Sequence, residues 1–530
     1  MRKKVLPMLP VLLLAAFAYV ILVPRTGHTF WYGAKITPEH IDSLTSEALH
    51  QYILDSVLFT LPGPDNDFAD SLRGADNNPD GITGLRIYKP EQTWDGYTLL
   101  SSLGGHSCDP DNPRVICNTI LINMEGELVK EWVLGAVPAK MLPNGDVMGS
   151  FPGRNDTGFR GSKILQQQDW CGEEVWRYDN FGELGGADWH HDHQRQGNPV
   201  GYYAPGLRTR TDSGRTLILS HDYPGMVPEV STFPLLDDKI YEIDWGGTVL
   251  FEWYAAEHFH QMGFHAEAQD AIMNIQVGRP PTPTTDWQHL NSASYVGPNP
   301  WFDNGRGDLR FHPRNIIYDS RTANYMAIIA RYDHPDWPGE GTWQAGDIVW
   351  KVGPHYSSTY DEHKLGQIIG LHHAHLIPRG LPGWGNVLVF DNGGIAGYDS
   401  FFPGMPGHYP ATYRNYSRVI EFDPTTLEII WEYNDPVQEG DVDLDGEIKG
   451  EERVFYSNLI SGAQRLKNGN TLITEGHGGR VFEVTYEGEI VWEYISPYDD
   501  GRAPRATDPN AVYRAYRVPD SWVPQFMNCE

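Results

Sequence analysis

Positive charge is in short supply along this 530-residue chain, where 40 Lys+Arg stand against 70 Asp+Glu for a formal net charge of −30. That deficit argues against nucleic acid as a partner, because a phosphate backbone demands a basic footprint. It also disfavours broad contact with an anionic membrane surface. Cysteine is limited to 4 residues, which fits a non-reducing compartment without establishing one. Apolar residues are not lacking. At 40% hydrophobic and 12% aromatic the chain can bury a large core, which excludes an intrinsically disordered class. Its 56 Gly and 39 Pro punctuate it as densely as in all-β proteins rich in turns.

The N-terminus speaks to the compartment. Arg2, Lys3 and Lys4 precede an uncharged apolar run from Val5 to Val23, about long enough to cross a bilayer as a helix. The small-residue pair Ala16 and Ala18 lies inside the run rather than after it, so residues 1–24 are expected to form an uncleaved transmembrane signal anchor. Positive charge ahead of the run places the rest of the chain on the periplasmic or extracellular face. Residues 25–95 are expected to form a linker and N-terminal extension. Within it Thr37-Pro38-Glu39 resembles a helix start, and Ile41, Leu44, Leu49, Ile53 and Val57 recur at near-helical spacing, predicting a short amphipathic helix over 37–59. Cys108 and Cys117 flank a Pro-containing turn and are expected to pair. Pairing Cys171 with Cys529 would require the C-terminus to return to the early part of the body.

From about residue 96 to 500 the chain repeats itself. A strand, a turn, and then an alternating segment rich in bulky groups occur six times. These copies end at Glu131-Trp132, Trp176-Arg177-Tyr178, Phe251-Glu252-Trp253, Ile348-Val349-Trp350, Trp431-Glu432-Tyr433 and Trp492-Glu493-Tyr494. The bulky groups alternate, which is the period of a strand with one buried face. Asn468-Gly469 and Asn144-Gly145 mark hairpins ahead of further strands, so each copy supplies about four strands. A lone four-stranded sheet cannot bury both faces. Six such units predict an all-β, six-bladed β-propeller over 96–500, with 501–530 as a C-terminal tail.

Histidines cluster where inner strands should begin, in Trp189-His190-His191-Asp192-His193, Asp286-Trp287-Gln288-His289 and Leu371-His372-His373-Ala374-His375. Equivalent positions of successive inner strands converge on the channel of a propeller, so His191, His289 and His372 are expected to face one pocket. Imidazoles so gathered permit transition-metal binding, or nucleophilic and general acid–base chemistry if a cation stabilises the developing anion. Arg321 and Arg418 are candidates for that cation.

A separate signal runs from Asp441 to Glu452. Asp441, Asp443 and Asp445 alternate, Gly446 permits the sharp turn, and Glu447 and Glu452 complete a D-x-D-x-D-G-x-I-x-x-x-E pattern. Carboxylates so spaced converge on a hard cation, predicting a structural calcium site.

Several ordered segments resemble the bacterial arylsulfotransferases. Asp286-Trp287-Gln288-His289-Leu290-Asn291-Ser292 looks like their DWxHxNS segment. His372 with Ala374, followed by Phe390-Asp391-Asn392-Gly393, looks like QHxA … FDNG. Tyr416-Ser417-Arg418-Val419 and Gly462-Ala463-Gln464-Arg465-Leu466 continue the match in order. The resemblance spans roughly 100 to 500. It implies an extracytoplasmic six-bladed propeller that moves a sulfuryl group from an aryl sulfate to a phenol through a transiently sulfated histidine, without a nucleotide cofactor. It assigns catalytic roles to His289 and His372. Arg418 stands in for the arginine, since none directly follows Asp391-Asn392-Gly393, and His477 is the nearest candidate for a third histidine. His191, Arg321 and Asn392 are expected on the substrate-binding wall. Tyr456 to Ser461 carries no histidine, so the alternative is a non-catalytic propeller, acting as scaffold or binding subunit of a membrane-associated complex.

Overall fold

A computed structural model describes residues 81–109, 111–112, 115–135, 138–151, 162–179, 189–274, 285–305, 307–337, 341–356, 359–394, 396–398, 414, 416–434, 455–499, 507–524 and 529. The expected anchor, the amphipathic helix and the acidic loop at 441–452 lie outside these residues. Among the described residues no helix is long and apolar enough to cross a membrane.

Among the described residues the strands form six sheets of a β-propeller, here called blades I to VI, antiparallel except where the short strand Thr285–Asp286 runs parallel to Leu235–Ile243. From the inner strand outward, blade II is Lys140–Met141, Val147–Ser150, Leu165–Gln168 and Glu174–Tyr178. Blade III is Trp189–Arg195, Thr216–Gly225, Leu235–Ile243 and Val249–Tyr254. Blade IV is Leu290–Tyr295, Ile316–Ser320, Tyr325–Ile329 and Ile348–Val352. The connection between its last two strands contains a hairpin, His334–Trp337 with Gly341–Trp343. Blade V is His372–Leu376, Val387–Asp391, Arg418–Phe422 and Ile429–Asn434. Blade VI is Gly462–Arg465, Thr471–Glu475, Arg480–Val484 and Ile490–Ile495. Central strands are covered on both faces by neighbouring blades, so Ile116–Ile122 and Val387–Asp391 are buried at every position. Outer strands keep one face in water, and Leu128, Val175, Val249 and Ile430 are exposed there.

Blade I departs from the expected boundaries. Its inner strand is Val512–Val518, which pairs antiparallel with Tyr97–Ser107, followed outward by Ile116–Ile122 and Leu128–Trp132. The segment expected as a tail therefore closes the ring. Its alternation was masked by Arg514 and Arg517, two fully buried guanidiniums at positions where a sequence pattern anticipates apolar groups. At the other end, Gly84–Tyr88 leaves the expected linker and adds a fifth strand to blade VI, against Ile490–Ile495.

The aromatic columns stitch the blades together. Lys130, Trp176, Phe251, Trp350, Trp431 and Trp492 occupy one register on six separate outer strands, each just ahead of a shift in pairing with the third strand. In blades I and III the tryptophan sits two residues later, at Trp132 and Trp253. In every blade the indole N–H donates to a carbonyl in the next blade's outer turn. Trp132 donates to Asp169, Trp176 to Trp245, Trp253 to Gly346, Trp350 to Pro424, Trp431 to Tyr486, and Trp492 to Met124 of blade I, at 2.8–3.1 Å. An indole buries a large apolar surface while its one polar atom finds a partner, which suits it to a seam between sheets. The recurrent turn glycine is explained in the same place: Gly172 and Gly488 have φ of 87° and 89°, and blade V has Leu427 at φ 56° instead.

Cys108 pairs with Cys117, as expected, and Cys171 with Cys529. The second bridge ties the C-terminus to the outer turn of blade II.

Candidate functional site

Where the inner strands begin, four blades hold a non-glycine residue in the left-handed region. These are His191 (φ 55°), His289 (φ 50°), His373 (φ 58°) and Ser461 (φ 91°). Such backbone costs of order 1 kcal/mol or more per residue and persists only where the surroundings enforce it. Pairing with the second strand shifts at the same places, between Ile218 and Ser220, Leu290 and Ser292, and His372 and His375. The bulges turn the side chains out of strand alternation and toward the channel.

Blades III and IV supply an imidazole–carboxylate cluster. His289 Nδ1 lies 2.6 Å from Asp286 Oδ2, and the two side chains are 20% and 23% exposed. This is the partly accessible edge of an otherwise buried group. The His191 ring meets the His289 ring edge-on at 4.9 Å and the Tyr513 ring, from blade I, at 5.8 Å. His191 Nδ1 is 2.6 Å from His190 Nδ1, and the His190 ring stacks on His221 at 3.7 Å. His190 Nε2 is in turn 3.0 Å from Asp238 Oδ1. Burial and the charge of neighbouring histidines push His190 down to about 3 and His191 well below the ordinary range, so both are neutral. Burial also opposes the charge on His289, but Asp286 outweighs it through its charge and hydrogen bond and raises His289. Burial would raise Asp286, but His289 holds it at about 2. Asp238, by contrast, is raised well above the carboxylate range, first by burial and then by the charge of Asp286.

Arg321 is the guanidinium whose charge bears on both His289 and His372, and its backbone N–H donates to the His289 carbonyl at 3.2 Å. Blade V is built differently. His372 Nδ1–H faces Asn392 Oδ1 at 2.7 Å and the Gly370 carbonyl at 2.9 Å, and Nε2 accepts from the Ile460 N–H at 3.1 Å. Both ring nitrogens are thus engaged. Asn392 donates onward to the Ser457 and Ile460 carbonyls, clasping blade V to blade VI. Arg418 lies on the third strand of its blade, away from the channel lining. Its guanidinium bonds Asp391 at 2.7 Å, Glu432 at 3.4 Å and the Leu365 carbonyl at 3.2 Å. His477 lies between the second and third strands of blade VI, with Nε2 3.7 Å from Asp508 and its backbone N–H donating to Ser457 Oγ.

The structure therefore brings His191, His289, His372 and Arg321 together, with Asn392 behind His372. Arg418 is committed elsewhere because a third strand does not reach the axis. Sequence reasoning did not single out Asp286, although it stands three residues before His289 in a segment already picked out. His221 and Asp238 gave no local signal, since they meet only across paired strands. The acidic loop residues Asp441, Asp443, Asp445, Glu447 and Glu452 lie outside the described residues.

Further along the inner strands a buried polar core fills the channel. Lys140 Nζ is 2.5 Å from Asp192 Oδ1 and donates to the His193 carbonyl, while Arg514 approaches Asp192 Oδ2 at 3.6 Å. Asp319 accepts from Ser292 Oγ at 2.6 Å and the Ala374 N–H at 2.7 Å. These contacts link blades I to V near the axis. A groove of about 650 Å³ between blades V and VI, lined in part by Glu421, Arg465 and Tyr486, contains none of the predicted site residues.

No family model and no curated protein matches the chain. Among solved structures it is similar to a protein of unknown function from Bacteroides caccae, at 12% identity and a TM-score of 0.37, covering 80% of this chain and 99% of that one. It is also similar to virginiamycin B lyase from Staphylococcus aureus, at 10% identity and 0.27, covering 69% and 71%. A third is a dihydro-heme d1 dehydrogenase, at 9% and 0.32, covering 96% and 92%. Likeness this distant says nothing about the chemistry of the site.

Proposed function

We propose that this propeller is a histidine-dependent sulfuryl transferase, moving a sulfuryl group from an aryl sulfate donor to a phenolic acceptor. The observation that carries the reading is the Asp286–His289 pair at 2.6 Å, partly accessible, beside His191 and the Arg321 guanidinium. Asp286 accepts from Nδ1–H and orients Nε2; because Asp286 also raises His289, the nucleophile is the fraction of His289 that has lost its Nε2 proton, and that fraction grows as pH rises. In the first half-reaction Nε2 attacks sulfur, the S–O bond to the aryl group breaks, and a phenolate leaves. In the second, a phenol oxygen attacks sulfur, the S–N bond breaks, and the phenol gives up its proton. That proton leaves to solvent at the accessible edge of the site, because burial and its neighbours hold His191, which packs on His289, well below the range of an effective base. Negative charge grows on the sulfuryl and leaving oxygens, and Arg321 offers a fixed cation for it. His372 and Asn392 hold the channel wall as positioning residues.

The same proposal takes residues 1–24 as a membrane anchor holding the propeller on the periplasmic or extracellular side, and 441–452 as a calcium loop, both on the sequence grounds given above. The competing reading, a non-catalytic scaffold, draws support from blade V, where His372 and Arg418 are fully occupied by structural bonds. The test uses the full chain in detergent with p-nitrophenyl sulfate and a phenol acceptor, followed by mapping of the sulfated residue. Turnover with sulfate trapped on His289 supports the transferase. No turnover and no sulfated histidine supports the scaffold.

A further inference from the structure

Three neighbouring strands of blade III bring two imidazoles and a carboxylate to one point. His221 and Asp238 are direct cross-strand partners, so their side chains share a face, and His190 reaches the same face from the inner strand. All three side chains are buried, at 0%, 1% and 0% exposure for His190, His221 and Asp238. His190 Nε2 lies 3.0 Å and His221 Nδ1 3.8 Å from the same Asp238 oxygen, and one ligand atom from each residue falls within 4.8 Å of the others. Bonds of about 2.0–2.1 Å arranged tetrahedrally put ligand atoms roughly 3.4 Å apart, between the two separations seen here.

The cluster is hard to explain as packing alone. His190 Nε2 and Asp238 Oδ1 are close enough to bond, yet they are not aligned as hydrogen-bond donor and acceptor, and both are buried. A cation between them would satisfy both at once. The surroundings also hold the groups in place. His191 Nδ1, 2.6 Å from His190 Nδ1, turns the other ring nitrogen toward Asp238, and the Leu290 N–H donates to Asp238 Oδ2 at 3.2 Å. Such outer partners fix the orientation of metal-binding imidazoles and carboxylates.

We infer that His190, His221 and Asp238 bind one divalent first-row transition ion of the zinc or ferrous class. Two nitrogens and one oxygen suit such an ion and do not suit calcium, which prefers oxygen ligands alone. Three protein ligands leave at least one coordination position open, unlike the closed four-ligand set of a structural site. The ion would lie near the Asp286–His289 pair, since His190 Nδ1 is 2.6 Å from His191 Nδ1 and the His191 ring meets the His289 ring at 4.9 Å. The inference does not depend on sulfuryl transfer, and it concerns residues distinct from the acidic loop.

The test titrates Co²⁺ into the metal-depleted full chain, with saturating Ca²⁺ present to occupy the acidic loop. About one Co²⁺ per chain is expected, with the visible absorption of a low-coordinate nitrogen–oxygen site and displacement by Zn²⁺. His190→Ala, His221→Ala and Asp238→Asn should each weaken binding by at least about 100-fold. Circular dichroism reports whether each variant folds. If a variant does not fold, the spectrum and stoichiometry of the wild-type chain decide. The inference is overturned if the wild-type chain takes up neither Co²⁺ nor Zn²⁺ tightly, or if folded variants bind as the wild type does.

Discussion

Blade V and the pair of blades III and IV both carry histidines where an inner strand begins and use them differently. His372 is held through both ring nitrogens, by Asn392 and Gly370 on one side and the Ile460 N–H on the other. His289 is held through one, by a carboxylate, and keeps an exposed edge. An imidazole with both nitrogens bonded to fixed neutral partners is a crosslink, because any reaction at either nitrogen must first break a buried hydrogen bond. An imidazole backed by a carboxylate has one nitrogen oriented and the other left for chemistry. Position in the channel is therefore not enough to identify a reactive histidine. What lies behind the ring decides.

Four measurements would break or sharpen that contrast. The largest effect is expected from His289→Asn, which removes the reacting nitrogen of the proposed transfer. Turnover of an aryl sulfate should fall about 10³-fold or more, while the melting temperature moves little. A variant that kept half its rate would erase the distinction between the blades. Arg418→Ala comes next, and its effect should be on stability. It leaves the buried Asp391 with Arg414, at 2.8 Å, and the Ile369 N–H but without the guanidinium on its second oxygen, and it removes the Arg418 contact of Glu432. A loss of about 3 kcal/mol in denaturant unfolding is expected. His372→Ala should cost about 2 kcal/mol, because the Ile460 N–H and Asn392 Oδ1 lose their partner inside the protein. Its activity per folded molecule should fall less than that of His289→Asn, and the reverse order would make blade V the chemical side of the channel. The smallest effect concerns calcium. A calcium-selective chelator should lower the melting temperature by a few degrees through mass action, and Asp443→Ala should abolish that response.

Much of the ring could be read from the chain because each blade repeats one strand pattern with one turn signal. The columns from Trp176 to Trp492 were legible for that reason, although in blades I and III the seam indoles are Trp132 and Trp253. Where the pattern failed, charge was the cause. Val512–Val518 is a buried inner strand that carries Arg514 and Arg517, and their partners Asp192 and Glu483 lie on other blades. The site was legible in the same uneven way. His289 and Asp286 are three residues apart and within one segment, so a local reading can join them. His190, His221 and Asp238 are joined only by strand pairing. Arg418 was drawn to the site by its place in a motif, but the third strand of a blade lies too far from the axis to deliver it.

The strand that completes blade I is made after every other described strand of the ring. Until Val512–Val518 emerges, Tyr97–Ser107 has no inner neighbour, and the seam from Trp492 to Met124 joins two ends separated by most of the polypeptide. Translation can therefore build five blades in order, but the circle must wait until Val512–Val518 has been made. Chains cut short anywhere before Val512 should remain an open arc with an unpaired inner edge, a natural substrate for proteases, whereas chains that include Val512–Val518 pass that checkpoint in a single step.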